Sequence, residues 1–371
     1  MNTIKSDVIV IGGGIVGSSA TLFMSQKGLN VTLIERDVCG SRSSGVNFGG
    51  VRCQGRPVSH LPLAIRARDI WRDADNVIGG KFEYTVTGHL KIARNEEELT
   101  ILNDYYADSQ GMGLDLQMLS GDEIRRRYPW FSGRVLGGSL SPHDGQANPR
   151  IVSPAFAAAA RRAGARVCEH EPVQTVEKLA TGYRVTTKEG IYEAEQLVIS
   201  AGAWSNNIAT QLGESFPLTH GFPAMAVTEP VPYFLHPCLG VQGGDIYIRQ
   251  VTRGNVVFGG GTGVAVSDSS SRATSNNLMA LMARLLELIP SMKNTQILRT
   301  WSGMEGFLPE NTPVIDKSLN HSGLYYGFGF SGGGFEIGPG AGAALADLVA
   351  HGSTTTDLTP FSMSRFASSD C

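Results

Sequence analysis

Cysteine is scarce and unpaired in this chain. The five cysteines, Cys39, Cys53, Cys168, Cys238 and Cys371, lie far apart with no C-x-x-C spacing. That excludes a disulfide framework, a zinc site and an iron-sulfur cluster of the chain's own, and it fits a reducing compartment. Long apolar runs are also missing. The apolar stretch at residues 8–11 is too short for a signal-peptide core and runs into a glycine-rich turn, and no later segment is long enough to span a bilayer. The expected location is therefore cytoplasmic. Neither sign of charge dominates, with 31 Lys and Arg against 34 Asp and Glu, so there is no basic field to attract nucleic acid.

What is abundant is glycine, whose 46 copies cluster in a few loops where backbone must approach something closely. A length of 371 residues allows about two domains, each with its own core. Residues 8–11 read as a buried strand, 15–27 as a helix stopped by Gly28, and 31–35 as a second strand, together a compact βαβ unit. Gly12, Gly14 and Gly17 supply G-x-G-x-x-G spacing around Ile15 and Val16. The first glycine makes the tight turn, the second brings backbone to a pyrophosphate, and the third packs helix on strand. The helix N-terminus adds free N–H groups and the positive end of its dipole. Glu35 ends the second strand, where a carboxylate accepts hydrogen bonds from both ribose hydroxyls and disfavours a 2′-phosphate.

Farther along, helices are expected near residues 63–74, 96–111, 152–163 and 276–288. Strands are expected near 165–168, 224–228, 245–250 and 255–259, with another ending in the Ala201-Gly202 turn. The last dozen residues read as loosely ordered. A loop of small residues, GSRSSGVNFGGVR (residues 40–52), follows Arg36, and a second glycine-rich loop, GFSGGGFEIGPG (329–340), lies far downstream. An NAD site needs no such distant partners. FAD does, because its ribityl chain and isoalloxazine ring require further cradling surfaces.

Seven segments in order carry a resemblance. They are VIGGGIVG (10–17), TGHL (87–90), PHDGQANP (142–149), VISAGAWS (198–205), IYIRQ (246–250), ILRTWSGMEGFLPENTPVID (297–316) and GFGFSGGGFEIGPGAG (327–342). On these the chain resembles the D-amino-acid-oxidase-like flavoproteins. Within them it resembles the branch holding the β subunits of L-proline dehydrogenase, hydrogen cyanide synthase and opine oxidase, with sarcosine and glycine oxidases. The resemblance implies an α/β and α+β fold with a Rossmann-like FAD-binding domain of the GR2 type, discontinuous over 1–80, 145–215 and 300–371. A substrate-binding domain on a mixed β-sheet would occupy 81–144 and 216–299.

The same resemblance implies that Ser43, Ser44 and Gly45 meet the pyrophosphate and that Asn47, Gly49 and Gly50 run under the flavin. Val173 would hold the adenine through its backbone, and the Ala201-Gly202 turn would pass near the pyrophosphate. Gly332, Gly333, Gly334 and Phe335 would aim N–H groups at the N1 and C2 carbonyl edge, where reduction places negative charge. Arg36, Trp204 and Gly303 complete the expected cofactor set. Sarcosine oxidases place a cysteine in the segment matching 302–306; this chain has none there, so noncovalent FAD is expected.

Hydride transfer from a neutral amine needs positioning and exclusion of water rather than a strong base, so no catalytic triad is expected. Tyr247 and Arg249 alternate on one strand and share a face. The resemblance implies that this strand overhangs the substrate; sheet packing for Tyr247 and an ion pair for Arg249 are the plainer alternatives. The positions where relatives carry a carboxylate-binding base hold Glu305 and Glu336, and Gly333 stands for a histidine. Two readings stay open. In one, both glutamates are solvated or paired and Arg52 holds the substrate carboxylate; in the other, Glu305 or Glu336 receives a cationic group, as in an opine with an arginine moiety. His143 and Asp144 read as turn residues, His89 and His220 as polar-network residues, and Trp301 as packing.

The implied reaction is oxidation of the C–N bond of a secondary amine or amino/imino acid: an opine, a proline-like compound or an N-alkyl amino acid. The chain would be the catalytic β subunit of a heteromeric dehydrogenase, partnered by a second FAD/NAD-type subunit and a ferredoxin-like subunit. A stand-alone oxidase releasing hydrogen peroxide and a non-catalytic flavin electron-transfer subunit are the alternatives.

Overall fold

The computed structural model describes residues 3–80 and 82–366. Cys371 and the end of the expected loose tail lie outside the described residues, while Thr359–Phe361 and Met363–Phe366 form 3-10 turns. The chain opens with β1 (Thr3–Ile11), α1 (Ile15–Gln26) and β2 (Val31–Ile34), the two strands parallel and adjacent. Val8 to Ile11 and all of β2 are buried, as expected for parallel strands covered on both faces. Helix α1 stops where Gly28 takes a left-handed φ of 87°.

The first sheet runs in the order Val314–Lys317, Leu324–Phe328, Ile191–Ile199, β1, β2, Arg166–Cys168, with Tyr183–Thr186 and Thr175–Lys178 added antiparallel on one flank. The helix Gly334–His351 lies against α1 and against the helix Leu61–Arg72 through small residues. A side-chain carbon at Gly338 would sit 2.5 Å from Cγ2 of Ile15, and one at Gly342 would sit 2.7 Å from the backbone nitrogen of Ala20. One at Gly340 would lie 2.9 Å from the carbonyl oxygen of Leu63. Backbones this close bring the first and last segments of the chain together.

The second sheet runs in the order Ile297–Ser302, Pro223–Pro230, Asn255–Thr262, Tyr247–Gln250, Cys238–Val241, His89–Ala93, Gly137–Ser141, Gln117–Ser120. It is mixed: Cys238–Val241 and His89–Ala93 are parallel and the other pairs antiparallel. The helix Ser275–Leu288 covers one face with Leu281, Leu285 and Leu288, capped by the Thr274 side chain. Strand Ile297–Ser302 runs through position 300, where the boundary was expected. The helix expected over 63–74 is Leu61–Arg72, broken at Asp73 before Ala74–Ile78.

Among the described residues no helix is long and apolar enough to cross a membrane, and no cluster of His, Cys, Asp and Glu is placed to hold a metal ion. Replacing Gly342 by Val forces the two helices apart and is expected to destabilise the protein by about 1–3 kcal/mol. Thermal unfolding checks this against Gly80→Ala, a position with nothing within 4 Å, which should leave Tm unchanged.

Candidate active site

A cavity of about 1180 Å³ is lined at one end by the C-terminal ends of first-sheet strands (Ile11, Ile34, Ser200) and at the other by second-sheet residues (Lys91, Met225, Tyr247). Clefts beyond strand C-termini are where open α/β sheets bind ligands. The nucleotide end is built on glycine. Gly12 has φ 106°, and a side chain there would meet the carbonyl oxygen of Ser200 at 2.5 Å. Gly14, Ile15 and Val16 line the cavity at the start of α1. Gly17 does not; a side-chain carbon there would lie 1.9 Å from the oxygen of Gly12, so it serves close packing.

Glu35 enters the cavity with its carboxylate set by two amides, Oε2 accepting from Gly13 N at 2.6 Å and Oε1 from Asp37 N at 2.9 Å. Each oxygen keeps capacity for a hydroxyl donor. Beside it the Arg36 guanidinium lies 3.9 Å above the Trp204 ring, and its Nη2 is buried without a partner. Val173, Ala201 and Gly202 line the same end.

The loop of small residues turns once as a helix, Ser43–Val46. Ser43 and Ser44 line the cavity, Ser44 Oγ accepting from Ile15 N at 2.9 Å. Gly45 lies behind, where a side chain would be 2.0 Å from the oxygen of Gly40. Asn47, Gly49 and Gly50 line the middle, with Asn47 Oδ1 accepting from Gly49 N at 2.7 Å. Trp301 Nε1 donates to Val46 O at 2.7 Å and Ser43 Oγ to Met304 O at 2.5 Å, so the second sheet's side holds this loop. Gly303 packs against Val46 outside the cavity.

The downstream loop turns through Gly329, Ser331 and Gly332, all at positive φ, into the helix Gly334–His351. Gly332, Gly334 and Phe335 line the cavity. Gly333 does not; its carbonyl accepts from Arg56 Nη2 at 2.9 Å. The N-termini of this helix and of α1 therefore both face the cavity, giving it two positive dipole ends.

The far end carries the charges. Tyr247 stands over the cavity with its ring edge-on to Phe48, centroids 4.7 Å apart, and burial pushes its hydroxyl above the usual range. Arg249, for which a substrate-side role and an ion pair were both open, shares that face of the strand but is not among the residues lining the cavity. Phe48 and Gln146 intercept it: Nε donates to Phe48 O and Nη1 to Gln146 Oε1 at 2.9 Å. Glu305 is recessed in the wall with no side-chain partner at Oε2, and burial pushes its carboxyl up to about 7, the nearby Gly332 amide opposing. Glu336 is fully buried 3.5 Å from Arg56 Nε; burial pushes it up to about 8, with Arg56 opposing.

Arg52 lines the cavity, and burial together with the Arg56 charge holds its guanidinium down at about 10. His89 is kept neutral by burial and held by Gln54, whose Nε2 lies 2.8 Å from its Nδ1. Asp144 is structural, accepting from Cys53 N at 2.9 Å and Gln54 N at 3.1 Å. His143 pairs with Asp115 at 2.8 Å on the exterior, and His220 lies 2.9 Å from Ala203 O.

Arg56, Lys91, Phe48 and Met225 line the cavity as well and have no place in the sequence-based site. Arg56 lies four positions beyond Arg52 in VRCQGR, and Lys91 immediately follows TGHL; both signals were legible but look like ordinary surface cations. The residues present fit FAD: a glycine cradle, a preset acid for the ribose, an orphaned buried guanidinium nitrogen beside it, and two helix N-termini for a pyrophosphate and an electron-rich ring edge.

The family model described as DAO, FAD dependent oxidoreductase, matches residues 7–348. Glycine oxidase of Geobacillus kaustophilus is 27% identical over 98% of both chains, and an opine oxidase subunit of Rhizobium meliloti is 25% identical over 97% of both. The crystal structure of L-proline dehydrogenase from P. horikoshii superposes with a TM-score of 0.93 at 26% identity, covering 99% of each chain. The chain belongs to the DAO family and is an FAD-dependent oxidoreductase acting on amines or amino acids.

Proposed function

We propose that this enzyme oxidises the C–N bond of an N-substituted amino or imino acid, as the catalytic subunit of a heteromeric dehydrogenase holding its FAD noncovalently. The first sheet and its loops form the cofactor half and the second sheet the substrate half. The observation that carries the reading is Arg52, a cation in the cavity wall with no carboxylate partner among the described residues. A guanidinium so placed matches a substrate carboxylate. The likeness to an opine oxidase subunit and to L-proline dehydrogenase supports the substrate class, and the first supports an assembly of more than one kind of subunit; the partners proposed are an FAD/NAD-type and a ferredoxin-like subunit.

When bound, FAD supplies the two-electron acceptor for the hydride leaving the carbon next to nitrogen. The chain's own residues do the rest. Arg52 holds the carboxylate and so fixes the C–H bond. Phe48 and Tyr247 present an aromatic pair that excludes water from it. The amides opening the helix Gly334–His351 stabilise negative charge collecting at their end of the cavity. Glu336 lies 3.5 Å from Arg56, whereas Glu305 has no cation within ion-pair distance among the described residues, which makes Glu305 the acceptor for a cationic group on the substrate. Its unpartnered Oε2 is what an ammonium or guanidinium would engage.

Stand-alone oxidase activity is the second reading, favoured by the likeness to glycine oxidase. The two separate cleanly: the FAD-loaded chain, mixed with N-substituted amino acids, is expected to bleach its flavin anaerobically and release little peroxide in air. Vigorous peroxide release overturns the dehydrogenase reading, and failure of every amine to bleach the flavin overturns amine oxidation itself.

Two further outcomes are expected. Arg52→Met should raise KM for carboxylate-bearing amines by about 30-fold or more while leaving carboxyl-free amines unaffected, as steady-state kinetics with a dye acceptor checks. A carboxyl held at about 7 is charged above that pH and neutral below. Attraction for a cationic substrate is therefore lost as pH falls through about 7. In pH profiles, kcat/KM for arginine-derived substrates should rise through that value relative to neutral ones in the wild type and in Glu336→Gln but not in Glu305→Gln. Identical profiles in all three contradict the assignment.

A further inference from the structure

Strand His89–Ala93 alternates as a two-faced strand does. Leu90 and Ile92 go into the core of the second sheet, while His89 and Lys91 line the cavity. Lys91 is flanked in register by Gly240 on one side and Ser139 on the other, and the space above Gly240 is taken by the His89 ring, 3.0 Å from where a side-chain carbon would sit. Its ammonium makes no hydrogen bond or ion pair among the described residues.

The head of Lys91 converges with that of Arg52. Both approach Gly55, a glycine at φ 74°: a side-chain carbon there would lie 2.9 Å from Nη1 of Arg52 and 3.1 Å from Nζ of Lys91. Two cationic heads within reach of one point are close enough for the two oxygens of one carboxylate to engage one each. Of the acidic groups nearby, Asp144 accepts from the amides of Cys53 and Gln54 and Glu336 lies 3.5 Å from Arg56; neither makes an ion pair with Arg52 or Lys91 among the described residues. Two recessed like charges side by side are unfavourable until an anion arrives from outside.

We propose that Lys91 is the second half of a two-cation clamp that, with Arg52, grips the carboxylate of the substrate. The clamp restores, from a different strand, the basic group that Glu305 and Glu336 do not supply. It rests on the reading that the substrate carries a carboxylate, and it makes Lys91 a determinant of specificity for acids over their amides. Burial and the Arg52 charge hold the Lys91 ammonium down at about 8, in keeping with a cation kept ready for an incoming anion.

The test uses binding rather than turnover, so it stands or falls separately from amine oxidation. The FAD-loaded protein is titrated at pH 7 with pyrrole-2-carboxylate and with pyrrole-2-carboxamide, following the flavin visible spectrum and calorimetric heat. Wild type should prefer the acid. Lys91→Met should weaken the acid about tenfold or more and leave the amide unchanged, and Lys91→Arg should recover most of the loss. Arg52→Met combined with Lys91→Met should lose less than the sum of the two single variants. Tm of ligand-free Lys91→Met should equal or exceed that of wild type, because a like-charge contact has gone; a drop would signal a structural role. Acid binding within twofold of wild type in Lys91→Met, or a wild type that binds acid no tighter than amide, overturns the clamp.

Discussion

The close contact between α1 and the C-terminal helix Gly334–His351 is the constraint on which the rest depends. Only small residues permit it: Gly338 meets Ile15, and Gly342 meets Ser19 and Ala20. That contact places the turn at Gly12–Gly17 and the loop at Gly329–Gly334, separated by most of the chain, on one floor. Two helix N-termini then open onto the same cavity, and a ligand with a diphosphate at one point and an electron-rich ring edge at another has matching dipoles for both.

The charges at the far end follow a different logic. Burying ions is costly unless each is partnered. Glu336 lies 3.5 Å from Arg56 and burial favours its uncharged form, and Asp144 is held by backbone amides. Arg52, Lys91 and Glu305 are left facing the cavity without counter-ions. Unsatisfied charge of both signs in one pocket is complementary to a ligand carrying both, such as an amino acid. The aromatic contact of Phe48 with Tyr247 and the grip of Arg249 on the Phe48–Gly49 backbone keep that end rigid.

The nucleotide half was legible in the sequence because its physics is local. Strand, glycines, helix, strand and Glu35 follow one another, and Gly12 and Gly17 answer to backbone approaches that a side chain forbids. The strands His89–Ala93 and Gly137–Ser141 were not legible as such, being short and stabilised by partners distant in sequence, and the second is rich in glycine and serine. Alternation put Tyr247 and Arg249 on one face, but what each meets there is a tertiary fact: Arg249 is taken up by the Phe48 carbonyl and Gln146. The pairing of Glu336 with Arg56 and the meeting of Lys91 with Arg52 join residues from separate elements, so neither leaves a mark in spacing or composition.

The central claim is that a substrate carboxylate is held at Arg52 with the carbon to be oxidised set beneath Tyr247. The most direct measurement is a crystal structure of the FAD-loaded protein with pyrrole-2-carboxylate. The expected density puts the carboxylate against the Arg52 guanidinium and the ring between Tyr247 and the flavin. A carboxylate bound instead at Glu305's end of the wall, or at a helix N-terminus away from Arg52, would contradict it.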